Sequence, residues 1–241
     1  MSDSYVSDTH ESAIVASWRK NVAPWVKAIA NDEIESRRLT TNRAVVEAVT
    51  SLPGPRVLDI GCGEGWLVRE LSAHGKQLTG VDAVPELIDA ARRQGGGDFQ
   101  VISYEQLSGQ ISGQGSEKSF AEKSFAEKFD TAVCNFSLLG KESVELVVKA
   151  APAILRAGGH LVVQTLHPLA SCGPQPYVDG WREGSWDGFS GEFCDPAPWY
   201  FRTLESWVQL FLDSGLQLVA LREPLHAQSR QPASLLLIGR C

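Results

Sequence analysis

Apolar residues recur at three- and four-residue spacing across positions 11–34, through Ile14, Trp18, Val22, Trp25, Val26 and Ile29, and a shorter stripe follows across 41–49. This spacing predicts one or two amphipathic helices, with Pro24 breaking the path between Trp18 and Trp25. From Arg56 the pattern changes. Short apolar runs at 56–60, 77–81, 99–103, 129–135 and 160–165 alternate with helical stripes at 64–73, 85–94 and 142–155, the order of a parallel, doubly wound sheet. In the last helix Val144, Val147, Val148, Ala151, Ile154 and Leu155 form one stripe. Pro152 is expected to kink its final turn, and Gly158-Gly159 to close it before the next strand. A helix at 204–213 and strands at 217–221 and 235–238 complete the chain and suggest an antiparallel end to the sheet.

The junction of the first predicted strand with its helix carries the clearest chemical signal. Gly61, Gly63 and Gly65 fall at every second position after Asp59, and Leu67 and Leu71 then resume helical spacing. Such a turn lets backbone N–H groups and a helix N-terminus approach a ligand closely. A dinucleotide fingerprint would need glycine where Trp66 stands, so a nicotinamide cofactor is disfavoured. Asp82 ends the second strand about 20 residues on, where a carboxylate meets a bound ribose. It can equally cap the helix that begins near Val84-Pro85-Glu86, and the two roles are compatible.

Composition narrows the setting. The 241 residues, 43% of them apolar, suffice for one substantial core. Acidic residues outnumber basic ones, 29 to 22, and the basic ones are scattered, which argues against a nucleic-acid track. Five cysteines, an odd number without zinc spacing, fit a reduced, cytoplasmic compartment and no metal site. The polar N-terminus has no signal core, and no run reaches membrane-spanning length. Glu117-Lys118-Ser119-Phe120-Ala121 is duplicated at 122–126 beside a Gly- and Ser-rich stretch, and reads as a tolerated surface loop or frayed helix.

The ordered segments at 56–165, with the tail to 238, resemble class I S-adenosylmethionine-dependent methyltransferases. The resemblance implies an α/β fold: a Rossmann-like, doubly wound, mostly parallel sheet with an antiparallel C-terminal strand, an N-terminal helical cap and an aromatic lid insertion. One domain is expected, divided into a cap (1–52), a cofactor-binding core (53–165), the lid (166–202) and a C-terminal part (203–241). It further implies that S-adenosylmethionine lies against Asp59, Gly61, Cys62, Gly63, Gly65 and Trp66 at the loop, and against Asp82 and Ala83 at the ribose. Ser103, Tyr104 and Glu105 are implied on the adenine side, and Asn135 and Phe136 near the methionine amine and the reacting centre. The family's usual acid near 103–104 has no clear match here. No Asn-Pro-Pro-Tyr-type motif follows the fourth strand.

Two further features concern the acceptor. His167, in Thr165-Leu166-His167-Pro168, follows the fifth strand at the sheet end where α/β folds build sites; it is a candidate substrate contact and general base, or else a loop histidine bonded to backbone. Residues 174–202 hold eight aromatic side chains among Gly, Asp and Pro, too many for a disordered linker. They predict a substrate-covering lid in which Trp181, Trp199 and Arg202 meet the acceptor, unless the segment simply packs on the core. Arg37 and Arg38 read as a solvated helix end rather than a carboxylate clamp. The expected function is methyl transfer to an oxygen or nitrogen of a small-molecule acceptor, by a monomer or homodimer away from membrane and nucleic acid. The alternative is a regulatory protein that binds S-adenosylmethionine without transferring its methyl.

Overall fold

The computed structural model describes residues 2–109, 127–189 and 191–241, with side chains described from residue 9 onward. The duplicated Glu-Lys-Ser-Phe-Ala segment lies outside them. Two helices, α1 (Ser2–Lys20) and α2 (Val22–Ala30), precede a π-helical turn (Arg37–Thr41) that runs into α3 (Asn42–Thr50). The break falls at Asn21, three residues before Pro24, because proline is tolerated in the first turn of a helix, where its missing N–H has no partner to lose.

Seven strands then form one sheet in the order β3 (Asp98–Val101), β2 (Gln77–Asp82), β1 (Arg56–Ile60), β4 (Phe129–Asn135), β5 (Leu155–Thr165), β9 (Leu235–Arg240), β8 (Gln217–Arg222). The first five run parallel, and β9 lies antiparallel to both β5 and β8. Strand order reverses between β1 and β4, which opens a crevice beyond their carboxyl ends. On one face α3, α4 (Trp66–Ala73) and α5 (Pro85–Gln94) bury Val45, Val49, Leu67, Leu71 and Ile88. On the other, α7 (Glu142–Ile154) and α9 (Leu204–Asp213) bury Val144, Val148, Trp207 and Phe211.

Three local readings change. The third strand stops at Val101 because Ser103 instead caps α6 (Tyr104–Ser108): its Oγ accepts from Gln106 N–H, and Gln106 Oε1 accepts from Ser103 N–H at 2.9 Å. Gly158-Gly159 lies inside β5, which begins at Leu155 directly after α7. Its register against β4 jumps from Phe129↔Leu155 to Thr131↔His160, and Gly158, at φ +76°, absorbs the bulge. The aromatic segment is ordered by a small hairpin, β6 (Gly180–Arg182) against β7 (Trp199–Phe201), after a short helix α8 (Pro168–Ser171). Among the described residues no helix is long and apolar enough to cross a membrane.

Candidate active site

The glycine loop is tied to the next strand. Gly61 and Cys62 donate N–H groups to the Val81 carbonyl at 2.8 and 3.0 Å, and Gly63 N–H donates to Asp82 Oδ2 at 2.9 Å. Asp82 Oδ1 accepts from the N–H of Val84, the residue just before α5, so the carboxylate ties the glycine loop to the turn that leads into that helix, which has no side-chain cap of its own. Burial pushes the Asp82 carboxyl up, and the N–H groups of Val84, Gly63 and Ala83 oppose that rise. A side chain at Gly61 would collide with Ser137, whose Oγ donates to the Ile60 carbonyl at 2.7 Å. At Gly63, among the described residues, only the Trp25 indole nitrogen, 3.5 Å away, borders the space a Cβ would take. The loop is closed on the β4 side and open towards the cap.

Asp59 sits at the β1 tip with its carboxyl buried and pushed up to about 8, chiefly by burial and then by Asp82 and Glu64. Cys62 is buried, and burial raises its thiol too, so it serves as an apolar filler. On the next tips, Tyr104 donates its hydroxyl to the Ser137 carbonyl at 3.0 Å, and Glu105 follows it in the first turn of α6. Asn135 Oδ1 accepts from Gln164 Nε2 at 2.7 Å, and that nitrogen also donates to the Thr41 carbonyl at the cap. Phe136 adopts φ +54°, a costly conformation for a bulky residue, held by its N–H bond to the Gln164 carbonyl. The strand tips thus bring Asp59, Asp82, Ala83, Ser103, Tyr104, Asn135 and Phe136 to one end of the sheet beside Gly61–Gly65.

Arg37 departs from its solvated reading. It is 8% exposed, with its guanidinium 4.6 Å from the Trp66 ring and 5.6 Å from that of Trp25. Its Nε donates to Asn42, and among the described residues its terminal nitrogens make no hydrogen bond. Burial pulls its pKa down to about 10. It borders a cavity of about 880 Å³ that opens beside the glycine loop between α2, α3 and α4, with Glu64 and Trp66 on the facing wall. Arg38 stays exposed. A single arginine in a helical stripe carries no sequence signal for this burial.

The acceptor-side candidates divide. His167 is buried beyond β5, and its Nε2 lies 2.8 Å from Glu223 Oε1. Trp199 stacks edge-on with Phe201 and lines a narrow cleft with Leu138, Leu139 and Leu166. Trp181 packs against Tyr200 and His10. Arg202 borders the same cleft as Trp199, and its two terminal nitrogens donate to the carbonyls of Gly140 and Lys141 at 2.8 Å, beneath the rings of Tyr200 and Trp207. A buried guanidinium has to satisfy its donors, and the turn after β4 supplies the acceptors. Among the described residues no cluster of His, Cys, Asp and Glu is arranged to hold a metal.

A doubly wound sheet with a glycine loop knotted to an acid on the second strand defines the class: the chain belongs to the methyltransferase-domain family, whose model matches residues 32–221. It has the class I, S-adenosylmethionine-dependent form of that fold. Similar curated proteins include ubiquinone biosynthesis O-methyltransferases from Xanthomonas oryzae pv. oryzae, 32% identical over 127 residues, which are 51% of this chain and 47% of that protein. The one from Xylella fastidiosa is 37% identical over 117 residues, 48% and 44% of the two chains. The chain spans about half the length of these curated relatives. Among solved structures, Burkholderia thailandensis 1,6-didemethyltoxoflavin-N1-methyltransferase, solved with 1,6-didemethyltoxoflavin and S-adenosylhomocysteine, aligns with TM-score 0.63 at 16% identity, covering 97% of this chain and 89% of that one. A Mesorhizobium loti S-adenosylmethionine-dependent methyltransferase aligns with TM-score 0.58 at 20% identity, covering 82% and 96%.

Proposed function

We propose that this chain transfers the methyl group of S-adenosylmethionine to an oxygen or nitrogen of a small-molecule acceptor. The observation that carries the reading is the Gly63 N–H to Asp82 bond, which fixes an open-faced glycine loop beside a strand-tip carboxylate at the reversal of strand order. Asp82 keeps lone pairs free for ribose hydroxyls after binding Gly63 and Val84. Asp59, at the neighbouring tip, suits the amine end of the donor, and the free fork of Arg37 suits its carboxylate. The bound donor supplies a carbon already activated for in-line displacement. The protein's tasks are therefore alignment, exclusion of water and removal of a proton where the acceptor carries one.

His167 is the residue assigned to that last task, and the aromatic insertion over the strand tips to the second. The titration that tests the reading is calorimetry of the full chain with S-adenosylhomocysteine, followed by transfer of labelled methyl from S-adenosylmethionine to a panel of phenols, carboxylates and amines. Binding with labelled product supports it. Binding without turnover across the panel would favour a regulatory protein instead, and absent binding would remove both.

A further inference from the structure

His167 is held at three points by its neighbours. Its carbonyl accepts from Ser171 N–H at 2.9 Å and from Ser171 Oγ at 3.0 Å, and Pro168 fixes the chain direction at the start of α8. The third point is remote in sequence. Strand β8 runs parallel to β5 because both pair antiparallel with β9, so the residue after β8 arrives at the same end of the sheet as Leu166 and His167, the two residues after β5. That residue is Glu223. Its Oε1 lies 2.8 Å from His167 Nε2, with the histidine side chain 1% exposed and the glutamate 47% exposed.

A carboxylate accepts hydrogen bonds and cannot donate them, so a neutral imidazole facing one carries its proton on the nitrogen that makes the contact. Nε2 is then the donor, and Nδ1 is left with a bare lone pair. Among the described residues that buried Nδ1 has no hydrogen-bond partner. A buried acceptor normally finds a donor, and one kept without a donor calls for a ligand group or a functional reason.

We propose that Glu223 is a positioning residue: by accepting the Nε2 proton it fixes His167 in the tautomer whose Nδ1 takes the proton of an acceptor hydroxyl. This rests on the methyl-transfer reading above. As the acceptor oxygen bonds to the methyl carbon, the carbon–sulfur bond breaks with its electron pair going to sulfur, and the hydroxyl proton passes to Nδ1. Glu223 then offsets the imidazolium charge until the proton leaves to solvent. Because the ring is enclosed, the acceptor reaches it when the covering segments part.

The first measurement needs no acceptor. Full-length protein with ¹⁵N-labelled histidine and bound S-adenosylhomocysteine is examined by NMR, with His167→Gln identifying the His167 signals among the five histidines. The expected result is a single tautomer protonated at Nε2, which becomes a mixture in Glu223→Gln. A ring protonated at Nδ1, or at both nitrogens, at neutral pH overturns the proposal. The second measurement uses phenol, and 4-nitrophenol at a pH where it is already ionised, as methyl acceptors. Glu223→Gln is expected to lower kcat roughly 100-fold with phenol, to spare 4-nitrophenol, and to leave the KM for S-adenosylmethionine unchanged. Equal losses with both acceptors, together with a lowered melting temperature, would show a plain structural clamp and overturn it. Should neither phenol be methylated, the tautomer alone decides the role of Glu223, while the methyl-transfer reading stands or falls on calorimetry and the acceptor panel.

Discussion

Asp59 and Asp82 lie at the ends of the paired strands β1 and β2. Asp82 accepts from Gly63 and Val84, both at 2.9 Å, so removing it both frees the loop and deletes the expected ribose contact. Charge-assisted bonds of this kind are worth about 1.5–3 kcal/mol. Asp82→Ala is therefore expected to weaken S-adenosylhomocysteine binding roughly 100-fold, and Asp82→Asn roughly 10-fold, by calorimetry. Unchanged affinity would remove Asp82 from the site. Asp59 shows itself in stability instead. Its carboxyl is carried from the ordinary 3.8 to about 8 in the folded state, mainly by burial. Between those values the folded chain holds a proton that the unfolded chain releases, so unfolding free energy falls as pH rises from about 4 to 8. At about 1.4 kcal/mol per tenfold change in equilibrium constant, the loss reaches several kcal/mol. Urea unfolding of the ligand-free protein at pH 5 and pH 8 should show this fall, and Asp59→Asn should flatten it. An equal slope in the variant would assign the dependence to other groups.

At the scale of elements, the turn after β4 explains why Arg202 is buried. Glu11 of α1 accepts from Lys141 N–H at 2.7 Å and from Ser143 at the start of α7, while Arg202 holds the carbonyls of Gly140 and Lys141. A carboxylate on a helix N-terminus and a guanidinium on the preceding carbonyls brace one turn from opposite sides. Arg202→Ala should cost roughly 3–6 kcal/mol in urea unfolding, from two lost charged bonds, and leave S-adenosylhomocysteine affinity unchanged. A loss of affinity without a loss of stability would make Arg202 a cofactor contact instead of a brace. The same element shows what a linear pattern conveys. Strands β1 and β4 were legible because central strands buried on both faces read as short, mainly apolar runs, β2 because Leu78 and Val81 stand between turn residues, and the glycine loop because its spacing is local. The bulge within β5, the capping box at Ser103 and the three-residue strands β6 and β7 were not, since tertiary pairing decides them. Glu223 had no local signal at all, because what matters is where β8 delivers it.

Over the whole molecule, the cap and the aromatic insertion form one covering layer rather than two walls. Trp186 meets Trp18 edge-on at 5.7 Å and packs with Phe189 and Phe193, and Ser17 Oγ donates to the Asp195 carbonyl at 2.6 Å. At the centre is Asn21, wholly buried, whose side-chain amide pairs with the Cys194 backbone as a strand would: Cys194 N–H donates to Oδ1 at 2.9 Å, and Nδ2 donates to the Cys194 carbonyl at 2.8 Å. Two ion pairs, Lys20 with Asp195 and Lys27 with Glu192, lie at the rim with more than half of each side chain exposed. Exposed pairs add little and are screened by salt, whereas the two part-buried hydrogen bonds of the amide contribute about 2 kcal/mol. The joint should therefore depend on the amide and hardly at all on the charges. Asn21→Ala is expected to raise the open population of residues 183–198 roughly 30-fold and to speed limited proteolysis there in proportion, provided that the segment recloses faster than it is cut. Lys20→Ala with Lys27→Ala, or 0.5 M salt, should leave the rate close to wild type. If the charge variants accelerate cleavage and Asn21→Ala does not, the layer is joined electrostatically.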